Sequence, residues 1–156
     1  MSERISELEK EGDIAADYLE GLLDIADLDG DIEMAVENDR ALVSIVGADL
    51  NMLVGDKGEV LDALQELTRL AVTRESGERS RLMLDISGHR SKAKERLAII
   101  GKEAAEKALA SGEPVELKAM TAFERKVVHD AVALAGASSV SKGEEPNRRI
   151  VVQPAQ

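Results

Sequence analysis

The period of the hydrophobic pattern switches repeatedly along this chain, and no single period lasts long enough to build a fold alone. Between Ile5 and Leu28 the apolar positions Ile5, Leu8, Ile14, Ala15, Tyr18, Leu19, Leu22, Leu23 and Ile25 recur mostly at intervals of three and four, which predicts a helix. DLDGD ends it. Ile32, Met34 and Val36 then alternate with Glu33, Ala35 and Glu37, the period of a strand buried on one face. The turn-like NDR at Asn38–Arg40 leads into ALVSIVG, whose nearly continuous apolar run suits a central strand. After Gly47 the piece ADLNMLV predicts a short helix, and GDKG a turn. A stripe of Val60, Leu61, Leu64, Leu67, Leu70, Ala71 and Val72 predicts a longer helix. ESGERS breaks it, and Leu82, Leu84 and Ile86 alternate as a third strand. The order to this point is α-β-β-α-α-β, so the class is α+β.

A second unit follows the break at SGH. From Ser91 to Ala110 the residues Ala93, Leu97, Ile100, Ala104, Ala105 and Ala108 gather on one side of a helix, and SGEP stops it. VELKAM is a short strand. Thr121 and Glu124 have the S/T-x-x-E spacing of a capping box, which starts the next helix at Thr121. Phe123, Val127, Val128, Ala131 and Leu134 supply its buried side. Ala135–Ser139 reads as a turn, and Ser139–Lys142, KGEEPN and Arg148–Val152 read as a closing hairpin. The expected domains are residues 1–88 and 89–156.

Bulk properties narrow the function. At 156 residues the chain can bury a sizeable core. It has no cysteine, which excludes disulfides and thiolate metal sites. MSERISELEKEGD is charged from its first residues and lacks the apolar centre of a signal peptide. Runs such as ALVSIVGA are too short to span a bilayer. The expectation is a cytoplasmic protein with no membrane insertion. The net charge of −11 is unevenly placed, because residues 1–53 carry 15 acids against 3 bases. The rest of the chain is close to neutral, so a polyanionic partner is compatible with it.

The glycine turn is the first candidate site. In Gly55-Asp56-Lys57-Gly58 the glycines permit unusual backbone angles and close approach, and Lys57 can reach an oxyanion at a helix start. A tight turn between two helical pieces would use the same residues. The turn follows a β-hairpin and precedes a third strand, and in that setting LVGDKGEVLDALQELTRLAV resembles a type II KH domain. The resemblance implies a loop that clamps a single-stranded backbone beside an apolar groove. Candidate groove residues are Val54, Leu61 and Leu64, the last as readily core. Tyr18 and Phe123 are the only aromatics, so base readers that depend on aromatic stacking are disfavoured. Asp56, with Glu59 and Asp62 in the following turn, competes with phosphate for the helix N-terminus.

The second site is FERKVVHDAV. Arg125 and His129 are four apart and project from one helix face. Together with SVSKGEEPNRRIVV, in which Ser141, Gly143, Pro146 and Arg148 fit S-x-G-x-x-P-x-R, this segment resembles an R-3-H domain, a small unit of two helices and a three-stranded sheet. That resemblance implies a single-strand-binding surface of Arg125 and His129, helped by Lys126, Lys142, Arg148 and Arg149. A type II KH module followed by an R-3-H module is similar to the bacterial Jag (SpoIIIJ-associated) family. It implies single-stranded RNA, or single-stranded DNA, as ligand. It also implies post-transcriptional regulation linked to cell envelope or division, and a small single-KH partner protein. No G-x-S-x-G, Walker loop, dinucleotide fingerprint or H-E-x-x-H occurs, so neither an enzyme nor a cofactor is expected. His89 and His129 form no ligand-like cluster. The competing expectation is a protein-interaction adaptor that docks through its acidic N-terminal face.

Overall fold

Two compact units, Met1–Arg90 and Ser91–Gln156, make up the computed structural model, which describes every residue except Met1, Ala48 and Gln156. The first begins with α1 (Ser2–Ala26), followed by β1 (Asp31–Glu37) and β2 (Arg40–Val46). β1 and β2 pair antiparallel from Asp31↔Val46 to Glu37↔Arg40. Asn38 and Asp39 close this hairpin with φ of 54° and 57°, the left-handed pair that a two-residue turn needs to match strand twist. α2 (Glu59–Ser76) then carries the chain across to β3 (Met83–Ile86), which lies parallel to β2. A parallel pair needs such a crossover.

β2 is central and buries Ala41, Val43 and Ile45 on one face. Against them pack Leu19 and Leu23 of α1, Leu61 and Leu64 of α2, and Leu84 and Ile86 of β3. Thus Leu8, Leu19 and Leu23 are buried, and Leu22 packs partly buried against the same core. Arg90 ties the unit together from inside. Its Nε donates to the Leu84 carbonyl at 2.7 Å, and its Nη2 donates to Asp62 and Gln65 at 3.1 Å each.

Several expectations need correction. ADLNMLV forms only a 3-10 turn at Asn51–Leu53, with its Ala48 outside the described residues; so short a piece cannot repay helix nucleation. On α2 the buried stripe is Leu61, Leu64, Thr68 and Val72, whereas Val60, Leu67 and Leu70 are exposed. The apolar residues of this helix wrap past the width of one packed face. Met34 is half exposed, because the edge strand β1 is covered by α1 only in part. Ile25, in the last turn of α1, is exposed as well.

The second unit contains α3 (His89–Ser111, whose first two residues belong to the first unit), β4 (Val115–Ala119), α4 (Ala122–Leu134), β5 (Ser138–Lys142) and β6 (Arg149–Gln153). Its sheet has the order β4-β6-β5 and is antiparallel throughout. Leu97, Ala105 and Ala108 of α3, Val128 and Val132 of α4, and Ile150 and Val152 of β6 make its core. The capping box is present: the Glu124 N–H donates to Thr121 Oγ1, and the Thr121 N–H donates to Glu124 Oε1. Leu134 is exposed rather than buried, since it falls in the last turn beyond Val132. Ser138 belongs to β5 instead of the turn, and Ser139–Lys142 forms the hairpin strand as expected.

Candidate nucleic-acid interface

The GDKG turn caps α2 at its positive end. Gly55 has φ 76°, Lys57 φ 56° and Gly58 φ 80°. A Cβ on Gly55 would collide with Val60 Cγ2, and one on Gly58 would lie 2.7 Å from His89 Nε2. Both glycines are therefore demanded by packing within the unit, apart from any ligand. Asp56 and Lys57 are exposed, and no side chain caps the N-terminus of α2. The first N–H groups of the helix are already used, Glu59 donating to the Asp56 carbonyl and Val60 and Leu61 to that of Val54, so what favours an anion there is the helix dipole beside exposed Lys57. Val54, Leu61 and Leu64 do not line a groove: they are 8%, 0% and 5% exposed and belong to the core.

His89 was assigned no role by sequence, yet its ring lies against Gly58 of the turn. Only the fold brings them together, because 31 positions separate them.

In the second unit, His129 of α4 sits against β5. Its Nδ1 is 2.5 Å from Ser139 Oγ and its Nε2 is 2.9 Å from Ser141 Oγ. The serines are two apart in a strand and so share a face. Ser141 belonged to the matched motif; Ser139 did not, and its signal was that period of two. With neutral imidazole, one nitrogen donates to its serine and the other accepts from its serine. Burial, and then the positive charge of Arg125, hold the His129 pKa below its ordinary value, with Asp130 opposing.

Arg125 is not an open cation. Its side chain is 10% exposed, its Nη1 donates to the Met120 carbonyl at 2.5 Å, and its Nη2 meets Glu145 at 2.7 Å. Glu145 lies in the β5–β6 loop, where Arg148 Nη1 also donates to the Gly143 carbonyl at 2.8 Å. Arg125 and Arg148 thus shape the loop. Lys126 pairs with Asp130 one turn on, and Arg149 pairs with Glu116 of β4.

Lys142 and Arg149 are direct cross-strand partners in the β5–β6 register. Like charges so placed cost stability. Strand alternation puts Lys142 on the face opposite Ser139 and Ser141. The expected surface is therefore split between a His129–serine spot beside α4 and a Lys142–Arg149 pair on the other face of the sheet.

Among the described residues no helix is long and apolar enough to cross a membrane, and no cluster of His, Cys, Asp or Glu is arranged to hold a metal ion.

Residues 95–154 match the family model of the R-3-H domain. The chain is 32% identical over 145 residues to the RNA-binding protein KhpB of Clostridium symbiosum, covering 90% of this chain and 64% of that protein. It is 30% identical over 128 residues to the RNA-binding protein KhpB of Bacillus subtilis (strain 168), covering 79% and 62%. It is 26% identical over 137 residues to the KhpB protein of Lactiplantibacillus plantarum, covering 87% and 42%. The chain spans less than two thirds of the length of each of these relatives.

Proposed function

We propose that this chain, an R-3-H-domain protein of the Jag family, binds single-stranded RNA in the cytoplasm and is not an enzyme. The observation that carries the reading is the His129 ring held between Ser139 and Ser141 in the unit that matches the R-3-H family. An imidazole whose two nitrogens are held by hydroxyls can gain a proton, donate to both serines and present a positive charge to a nearby phosphate. Lys142 adds an exposed positive charge on the same unit, across from Arg149 and its Glu116 partner. The first unit, read as a type II KH module, contributes a second contact at Gly55, Asp56, Lys57 and Gly58, where exposed Lys57 and the positive end of the α2 dipole receive backbone phosphate. Asp56 keeps this contact weak. The names of the relatives support RNA as the ligand.

The test is a fluorescence-anisotropy titration of one sequence as single-stranded RNA, single-stranded DNA and duplex. The expected order of affinity is RNA, then DNA, then duplex, with log affinity falling linearly with log salt. A folded protein that binds none of them at low salt refutes the reading.

One observation favours the adaptor reading as a second role. Ile5, Leu8, Glu9, Gly12, Asp13 and Met34 line an open cavity of about 550 Å3 between α1 and β1. Its apolar floor and acidic rim suit a basic segment of a protein partner.

A further inference from the structure

At the far end of α2, roughly 20 Å along the helix axis from the GDKG turn, arginines converge. Arg69, Thr73, Arg79 and Arg81 line a cavity of about 590 Å3 together with Leu70 and Glu66. Arg40, at the start of β2, is near enough to feel them. After burial, the charges of Arg81 and Arg69 hold its guanidinium pKa below the ordinary arginine value. Its Nε is buried without a hydrogen-bond partner.

The acids nearby neutralise only part of this cluster, with Glu66 on Arg69 and the Asp39 charge reaching Arg81. Glu66 pairs with Arg69 at 3.1 Å, and the Arg69 Nε donates to the Leu82 carbonyl at 2.7 Å. Asp39 is held by Arg4 at 2.9 Å, and Glu11 accepts from the Ser80 hydroxyl at 2.6 Å. Arg79 and Arg81 are exposed and make no side-chain hydrogen bond or ion pair with any described residue. Gathering like charges and burying an unpaired N–H both cost folding free energy. An anion seated among the arginines that line the cavity offsets the first of these costs.

We propose that this arginine pocket binds a terminal phosphate, the mono- or polyphosphate end of a nucleotide or of an RNA strand. A backbone diester carries a single negative charge, whereas a terminal phosphate carries nearly two and offers three oxygens. Planar guanidinium forks engage such oxygens in pairs. A strand end as the source rests on the single-strand RNA reading above; a free nucleotide does not.

The experiment uses the full chain. Inorganic pyrophosphate and adenosine diphosphate are titrated by calorimetry. One RNA decamer is titrated by anisotropy with either a 5′-monophosphate or a 5′-hydroxyl. We expect the phosphorylated decamer to bind about tenfold tighter, the worth of one or two charge-assisted contacts. The double variant Arg79→Ala, Arg81→Ala should bind both decamers equally, and as the wild type binds the hydroxyl form. Circular dichroism checks that it folds, with Arg79→Gln, Arg81→Gln as the milder pair. Pyrophosphate and diphosphate binding that the variant loses, without preference between decamers, assigns the pocket to free nucleotides and supports the proposal. If neither decamer binds, the RNA reading has failed and the pyrophosphate titration alone decides. A wild type that binds neither small phosphate and does not distinguish the decamers overturns the proposal. So does a folded variant that keeps the preference.

Discussion

His129 has two linked consequences at the scale of a single residue. Its pKa is depressed in the folded chain. The stability it contributes is therefore complete above its ordinary pKa of ~6.5 and is lost as pH falls through the folded value. A phosphate beside the ring works in the opposite direction, favouring the charged form. Single-strand affinity should consequently rise as pH falls below about 6.5, while the free protein becomes less stable over the same range. His129→Gln can still bond to Ser139 and Ser141 but carries no charge. It should flatten both profiles, measured by anisotropy and thermal melting at fixed ionic strength. A slope that survives in that variant makes the histidine purely structural. At the turn itself, Lys57→Asp replaces an exposed cation by an anion next to Asp56. Affinity should fall by about 1 kcal/mol or more with little change in melting temperature. Unchanged affinity in the folded variant removes the turn from the binding surface. Arg125 behaves otherwise. Since it holds Met120 and Glu145, Arg125→Lys keeps the charge but loses the fork, and should lower stability by about 1–2 kcal/mol as well as affinity.

At the scale of elements, the start of α3 is fastened by a residue whose importance the spacing of apolar positions does not reveal. Arg90 is 5% exposed and donates to a β3 carbonyl and to two α2 side chains. Replacing it with Met leaves the Leu84 carbonyl, Asp62 and Gln65 without this donor. The cost should be about 2–4 kcal/mol, read as a lower urea midpoint; a change below about 0.5 kcal/mol would mean water takes over its role. The elements that were legible in sequence are those with one strong period. β2, β3, α4 with its Thr121–Glu124 cap, and the β5–β6 hairpin all announce themselves this way. Less legible was which side of α2 is buried. Val60, Leu67 and Leu70 are as apolar as Leu61 and Leu64, so only packing against β2 and β3 decides. The candidate site was legible as a set of residues but not as a surface. Strand alternation separates Lys142 from Ser141, and the Glu145 carboxylate takes Arg125 inward. Neither effect can be read from the spacing R-x-x-x-H.

At the scale of the whole molecule, the decisive question is whether the acidic first helix is a solvated appendage or part of a core. Residues 1–24 hold eight acids and two bases, so on charge alone their removal should strengthen binding to a polyanion through weaker repulsion. The packing says something different. Ala15, Leu19 and Leu23 are 0%, 0% and 4% exposed and lie in the same cluster as Val43, Ile45 and Leu84. Removing three such side chains, with no element to replace them, costs several times the roughly 2–5 kcal/mol of one large-to-small core substitution. That exceeds what a unit of this size can lose. The second unit draws its core entirely from residues 93–152 and keeps every part of it. Deletion of residues 1–24 should therefore abolish the unfolding transition of the first unit and leave that of the second. Calorimetry can assign the two transitions with Leu84→Ala, which should shift the first, and Val132→Ala, which should shift the second. Binding that depends on Lys57 should vanish with the first transition, while binding that depends on His129 persists. A truncated chain that melts like the full-length one would show that α1 only rests on the sheet. In that case the gain in affinity expected from charge alone should appear in its place.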